Sequence, residues 1–90
     1  MSEVEVFDAL RYRIVVDSSG TRWYYNSAGQ LHRDDGPAVE WNNGTKSWYQ
    51  NGNRHRTDGP AVEYASGDKV WYINGVEMSE AEFNQAVKSL

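Results

Sequence analysis

The sequence predicts a mainly β protein, a twisted antiparallel meander of hairpin repeats followed by a C-terminal α-helix. Three observations indicate this class. The stretch HRDDGPAVEW at 32–41 returns 23 residues later as HRTDGPAVEY at 55–64, with eight of ten letters unchanged. Turn dipeptides separate short runs rich in Val, Trp, Tyr and Thr, which are strand-forming residues. The last residues change to a helical spacing of apolar side chains.

Each copy of the repeat is predicted to form a pair of short strands. SWYQNG begins at Ser47 and VWYING at Val70, again 23 residues apart, and WYYNSAG at Trp23 resembles both with a turn two residues longer. Asn-Gly is the strongest short hairpin signal, because both residues tolerate the positive φ that a type I′ turn needs. A fixed period in this range is typical of repeat architectures. The predicted strands lie near 11–16, 22–25, 38–41, 45–50, 61–64 and 69–73, and shorter extended pieces follow the Asn-Gly turns.

The whole chain, residues 1–90, is predicted to be one domain, with the repeat sheet over about 12–77 and the helix over about 79–89. Ser79 and Glu82 have the spacing of a capping box. The apolar residues of one helical face follow at 83, 86, 87 and 90. The N-terminus is ambiguous: Ser2 and Glu5 have the spacing that caps a short helix, whereas 4–6 alternate as a strand does. We favour the short helix.

Composition limits the functional classes. The chain has no cysteine and a net charge of −4, so it has neither a disulfide framework nor a thiolate metal site. The N-terminus is acidic and predicts no secretory signal, and no apolar run is long enough for a membrane helix. We therefore expect a cytoplasmic protein that binds neither membranes nor, given its weak basic footprint, nucleic acid.

Two histidines and their acidic neighbours are the first candidates for chemistry. His32 and His55 each precede an arginine and an aspartate within the repeated block, and on paper they offer ligands to a metal ion. Repetition of the whole block instead favours a structural turn that forms twice. Asp35 and Asp58 then cap the turn as Asx residues do, and each proline starts a strand. We predict no metal and no cofactor.

Catalytic motifs are not evident. No Gly-x-Ser-x-Gly elbow and no phosphate-binding glycine loop with lysine occur. The adjacent pair Asp34 and Asp35 is typical of a solvated turn rather than of a glycosidase acid pair. We therefore predict that the protein is not an enzyme and has no catalytic residues.

Two surfaces are candidates for partner binding. Alternation places aromatic side chains on both faces of the predicted sheet, where they either form the core or bind a partner. Carboxylates recur at matching repeat positions and near the C-terminus, and such spaced charges imitate a phosphate backbone toward a basic groove. The candidate partner-binding acids are Asp34, Asp35, Glu40, Asp58, Glu63, Glu77, Glu80 and Glu82.

Residues 21–77 resemble the Trp-Tyr-x-Asn-Gly and His-Arg-x-Asp-Gly-Pro-Ala repeats of small phage-encoded proteins. Those repeats are in turn similar to MORN-type repeats, including the variant in YwqK-type antitoxin components. The resemblance implies a β-hairpin repeat sheet without catalytic residues, and a role in contacting other macromolecules.

In size and charge the chain is also similar to anti-CRISPR proteins, several of which block the DNA path of a host effector complex. This similarity implies a phage-encoded inhibitor in the host bacterial cytoplasm, with a CRISPR effector subunit as a protein partner. The alternative is an antitoxin-like or structural module that binds a partner through its aromatic face. The sequence predicts no oligomeric state.

Overall fold

The computed structural model describes residues 4–7, of which only the backbone is considered, and residues 12–90. Within these residues the chain is mainly antiparallel β structure with one α-helix at its C-terminal end, as the sequence predicts. The strands are β1 (Val4–Phe7), β2 (Arg13–Val16), β3 (Arg22–Tyr25), β4 (Val39–Glu40), β5 (Lys46–Ser47), β6 (Tyr49–Gln50), β7 (Asn53–Arg54), β8 (Val62–Glu63), β9 (Lys69–Ile73) and β10 (Val76–Met78). The helix is α1 (Glu80–Lys88).

The strands follow one another as a meander. Over the described residues, eight strands form a sheet in the order β1-β2-β3-β4-β5-β8-β9-β10, and β6 pairs with β7 in a separate hairpin. The strand predicted over 45–50 is therefore two strands, interrupted at Trp48. The short pieces expected after the Asn-Gly turns are β7 and β10.

The N-terminal prediction of a short helix is wrong. Residues Val4–Phe7 form β1, which pairs antiparallel with β2 so that Glu5 lies opposite Val15. The alternation of valine with a polar residue matches a strand, and an adjacent strand satisfies the backbone groups that an isolated short helix leaves unpaired. Ser2, the predicted helix cap, lies outside the described residues.

The Asn-Gly turns have the predicted geometry. Asn51 and Gly52 have φ of 50° and 88°, and Asn74 and Gly75 have φ of 50° and 83°. Positive φ at both central residues is the mark of the type I′ turn, whose twist matches that of the flanking strands.

The structural register of the first repeat differs by one residue from the sequence alignment that matches Trp23 with Trp48. The amide of His32 donates to the carbonyl of Tyr24, and the amide of His55 donates to that of Trp48. Tyr24 is therefore the structural counterpart of Trp48, and the first turn is one residue longer than the second, not two. Backbone hydrogen bonding, rather than side-chain identity, sets this register.

The core consists of small and aromatic side chains. Tyr12, Tyr24 and Ala38 form one buried cluster, with Ile14 and Tyr49 packed against it. Val39 and Val62 are also buried, and they lie on either side of Ser47 across three adjacent strands.

The C-terminal helix covers the last two strands. Its N-cap is Ser79, whose hydroxyl accepts the Glu82 amide while the Glu82 carboxylate accepts the Ser79 amide. The predicted capping box is thus confirmed. Phe83 is buried, and α1 packs on β9 and β10. No helix in the described part of the chain is long and apolar enough to cross a membrane.

Candidate functional site

The second repeated block, 55–61, is organised around Arg56. Its guanidinium carbon lies 3.9 Å from the ring centre of Trp48. Nε donates to the Asp58 carboxylate at 2.8 Å, and Nη1 donates to the Pro60 carbonyl at 3.0 Å and to Glu63 at 3.1 Å. One guanidinium therefore ties the turn, the start of the next strand and the ring beneath it into a single unit.

The first block repeats this arrangement around Arg33. Its guanidinium carbon lies 4.0 Å from the ring centre of Tyr24. Nε donates to Asp35 at 3.0 Å, Nη1 donates to the Pro37 carbonyl at 3.2 Å, and Glu40 is 3.7 Å from Nη1. Each arginine is thus paired with an acid of its own block. Asp35 and Asp58 do not cap the turn as Asx residues, because the residue two positions on is proline, which has no amide hydrogen to donate. Each carboxylate accepts the arginine Nε–H.

The glycine of each block leaves space for the arginine. A Cβ built on Gly36 would lie 3.1 Å from the Arg33 guanidinium carbon, and one on Gly59 would lie 2.9 Å from that of Arg56. Neither glycine has a positive φ. The guanidinium is therefore held between an aromatic ring and a bare backbone, which explains why glycine precedes proline in both copies.

Each histidine links its block to the hairpin of the next repeat. His32 Nδ1 accepts the amide of Asn51 at 3.0 Å, and His55 Nδ1 accepts the amide of Asn74 at 2.9 Å. The two histidines thus serve successive turns rather than a shared site. Among the described residues, no group of three or more His, Cys, Asp or Glu side chains is placed to hold a metal ion.

Asp34 is where the two blocks differ, since Thr57 takes its position in the second. Its carboxylate lies 3.1 Å from His32 Nε2 and accepts the Tyr12 hydroxyl at 3.2 Å, while that hydroxyl accepts the Asp34 amide at 2.7 Å. Burial favours the neutral acid, but hydrogen bonds from His32, Tyr12 and Gln50 hold the pKa of Asp34 below its usual range. Asp34 is therefore a preorganised, exposed negative charge.

This shift predicts a pH dependence of stability. Because the pKa of Asp34 is lower in the folded than in the unfolded chain, its stabilisation is complete above the unfolded value of about 4 and is lost as pH falls through the folded value. Chemical unfolding measured from pH 6 to pH 2 should show this loss, and Asp34→Asn should lessen the slope below about pH 4. An unchanged slope in Asp34→Asn contradicts the assignment.

The structure divides the eight predicted partner-binding acids into three sets. Asp34, Asp35 and Asp58 are exposed at the repeat turns, with side chains 70%, 57% and 84% accessible. Glu40 and Glu63 lie within the sheet and are half-buried. Glu77, Glu80 and Glu82 are exposed at the C-terminal end, where Glu77 accepts the Tyr72 hydroxyl and Glu82 belongs to the helix cap.

Glu40 and Glu63 belong to a row of alternating charges across the strands. Glu40 lies opposite Arg22 on one side and Lys46 on the other, and Glu63 lies between Lys46 and Lys69. Opposite charges facing each other across strands stabilise a sheet. Both glutamates are therefore balanced by basic neighbours within the protein.

The two turn blocks enclose a groove of about 580 Å³, here called the inter-repeat groove. The acids at its rim are Asp34, Asp35 and Asp58, and Trp48 and Gln50 form part of its wall. Arg33 and Arg56 also line it, but their guanidinium groups are already bonded to acids and carbonyls. The groove thus presents exposed carboxylates at the matching repeat positions Asp35 and Asp58, and a further one at Asp34, which the second block lacks.

Most aromatic side chains of the described residues are buried or half-buried within the fold. All four tryptophans are half-buried, and Tyr12 and Tyr24 are buried. Tyr64 is the large aromatic residue of the described chain that remains exposed, at 45%. Sequence reasoning placed aromatics on both faces of the sheet but missed that Tyr24 and Trp48 are covered by arginines.

No protein-family model matches the sequence, and no match was found among curated proteins or solved structures.

Proposed function

We propose that this chain is a non-enzymatic inhibitor that docks on a basic, nucleic-acid-facing surface of a protein partner through its carboxylates. The observation that carries the proposal is the exposure of Asp34, Asp35 and Asp58 around the inter-repeat groove. Equivalent turns are two strands apart in a repeat of this kind, or roughly 10 Å. The acids are thus spaced charges on a rigid frame.

Preorganisation supports this role. Asp35 and Asp58 are oriented by the Nε–H of Arg33 and Arg56, and Asp34 by Tyr12 and His32. Carboxylates already held in place lose less conformational entropy when a lysine or arginine of the partner approaches. Complementary charge also accelerates association, and the acceleration falls as salt rises.

The partner in this proposal is a subunit of a bacterial defence complex such as a CRISPR effector, in which a basic channel holds nucleic acid. The resemblance to phage-encoded repeats and the small acidic chain support this choice. The exposed acids Glu77 and Glu80 extend the negative surface, whereas Glu40 and Glu63 contribute less because they are half-buried within the sheet.

Charge changes at Thr57 test the proposal without removing any contact of the fold. Thr57 is exposed on the inter-repeat groove and matches Asp34 in the first block. Thr57→Lys should weaken inhibition of DNA binding by a purified, guide-loaded CRISPR effector about two- to fivefold, and Thr57→Asp should strengthen it by a similar factor. The measurement is a mobility shift of labelled target DNA at low and high salt.

Ser18→Lys and Ser18→Asp are the matched controls, since Ser18 is exposed in a turn that does not line the groove. They should change inhibition by less than about twofold. The proposal fails if the Thr57 and Ser18 variants behave alike, if salt has no effect, or if the chain leaves every effector complex of a representative panel bound to its DNA.

A second candidate is an antitoxin-like or structural module that binds its partner through the aromatic face. The exposure of Tyr64 favours it. In that case Tyr64→Ala weakens binding strongly and salt changes it little, which is the reverse of the pattern expected for the carboxylates.

A further inference from the structure

A second groove differs from the inter-repeat groove in its chemistry. It has a volume of about 300 Å³ and is lined by Trp41, Asn43, Thr45, Arg54, Val62 and Tyr64. Trp41 and Tyr64 are repeat equivalents, 23 residues apart. We call it the Trp41–Tyr64 groove. None of its lining residues is acidic, although the chain as a whole has a net charge of −4.

The polar groups that line the Trp41–Tyr64 groove are left mainly as donors. Asn43 Oδ1 accepts the amide of Thr45 at 2.9 Å, which leaves the Asn43 amide hydrogens. Thr45 Oγ1 accepts the amide of Ala65 at 3.0 Å, which leaves the Thr45 hydroxyl hydrogen. A group that only accepts hydrogen bonds matches this set, and an ionised carboxylate is such a group.

Arg54 adds a positive charge that no carboxylate of the described residues contacts directly. Its Nη1 donates to the Tyr72 hydroxyl at 3.4 Å, and that hydroxyl contacts Glu77 at 3.4 Å. Its guanidinium carbon lies 5.4 Å from the Tyr72 ring centre. Nε is buried without a hydrogen-bond partner. Arg33 and Arg56, by contrast, each contact a carboxylate directly.

We propose that the Trp41–Tyr64 groove binds a carboxylate of a partner polypeptide, with Arg54 as the cationic contact and Trp41 and Tyr64 against the adjoining apolar side chains. The carboxylate belongs to a glutamate or aspartate side chain or to a chain terminus. Charge-assisted hydrogen bonds to arginine are among the stronger ones in proteins, and half-exposed aromatic rings are typical anchors for peptides. This site is independent of the acidic surface, and it attracts the opposite charge.

A peptide fits the groove better than a nucleic acid does. Phosphates of a strand follow one another closely, so a nucleic acid would bring several negative charges against an acidic chain. The Trp41–Tyr64 groove has one arginine and a volume suited to one or two side chains. A single carboxylate flanked by apolar groups satisfies the donors and limits repulsion from the rest of the surface.

The test is an NMR titration that follows the indole N–H of Trp41, assigned with Trp41→Phe. Three N-acetylated tripeptides serve as probes: acetyl-Leu-Glu-Leu-amide, its neutral glutamine analogue, and acetyl-Leu-Leu-Leu with a free C-terminal carboxylate. We expect at least one carboxylate peptide to bind about tenfold more tightly than the glutamine peptide. The tighter of the two identifies side chain or terminus as the source.

Asn43→Asp places a negative charge in the groove and keeps the oxygen that accepts the Thr45 amide. It should lower the affinity for the carboxylate peptide about tenfold. Asn42→Asp changes an exposed neighbour that does not line the groove, so it should leave that affinity unchanged. Arg54→Gln should abolish binding in a folded protein. The proposal is overturned if the glutamine peptide binds as tightly as the carboxylate peptides, or if Asn43→Asp has no effect. It is also overturned if oligothymidylate saturates the groove at a lower concentration than the carboxylate peptides do.

Discussion

Replacing Arg56 by alanine is expected to lower the free energy of unfolding by about 3 kcal/mol, measured by urea denaturation. The change removes the stack on Trp48 and leaves the Pro60 carbonyl and Glu63 without their guanidinium donor. A half-buried acceptor that loses a charged donor contributes most of this loss, and the remainder is the lost contact with the ring.

Two comparisons separate this effect from a general loss of positive charge. Arg22→Ala, at an exposed position of the same sheet, should cost less than about 1 kcal/mol because exposed ion pairs stabilise weakly. Gly59→Ala should reproduce part of the Arg56→Ala loss, since its Cβ would lie 2.9 Å from the guanidinium carbon. If Arg56→Ala costs no more than Arg22→Ala, the guanidinium does not organise the turn.

Replacing Ala61 by leucine is expected to destabilise the fold by about 3 kcal/mol, the upper part of the range for overpacked cores. Ala61 is completely buried, as is its repeat equivalent Ala38, and its carbonyl accepts the amide of Trp48 at 2.7 Å. A larger side chain must therefore displace the atoms that surround it in the core. Urea denaturation measures the loss, and the hydrogen exchange of the Trp48 amide reports where the strands separate.

Ala65→Leu is the control for Ala61→Leu. Ala65 lies in an exposed turn, so the same enlargement there should change stability by less than about 0.5 kcal/mol. Comparable losses at both positions would show that leucine is unfavourable for a reason other than packing at the repeat.

Local features of the fold were predictable from the sequence. Asn51-Gly52 and Asn74-Gly75 mark type I′ turns because few dipeptides tolerate positive φ at both positions. The capping box at Ser79 follows from a spacing of three residues. These signals depend on neighbours along the chain, so tertiary structure has little opportunity to change them.

Features that depend on distant partners were not predictable. The N-terminal segment was predicted as a helix, and it is a strand because β2 offers it an edge. The Asx caps expected at Asp35 and Asp58 are an exception, because the sequence itself places a proline, which has no amide hydrogen, two residues after each aspartate. The alignment on Trp23 was one residue out of step, because backbone hydrogen bonds make Tyr24 the counterpart of Trp48.

The candidate sites show the same division. The sequence identified Asp34, Asp35 and Asp58 as surface acids, but it did not separate them from Glu40 and Glu63, which are half-buried within the sheet. It did not indicate the Trp41–Tyr64 groove, because the donors that line it are defined only after the acceptors Asn43 Oδ1 and Thr45 Oγ1 are occupied. Partner identity stays a prediction for both surfaces.

By itself the sequence determined the β class, the repeat, its turns and the terminal helix, since each follows from backbone preferences and short-range spacing. Only the tertiary structure decided what HRDDGPAVEW does. Its histidine accepts an amide hydrogen of the next hairpin, and its arginine covers an aromatic ring. The proline that follows its glycine supplies a carbonyl to that arginine. These partners are 4 to 19 residues away along the chain, and folding brings them together as it buries the matching small residues Ala38 and Ala61.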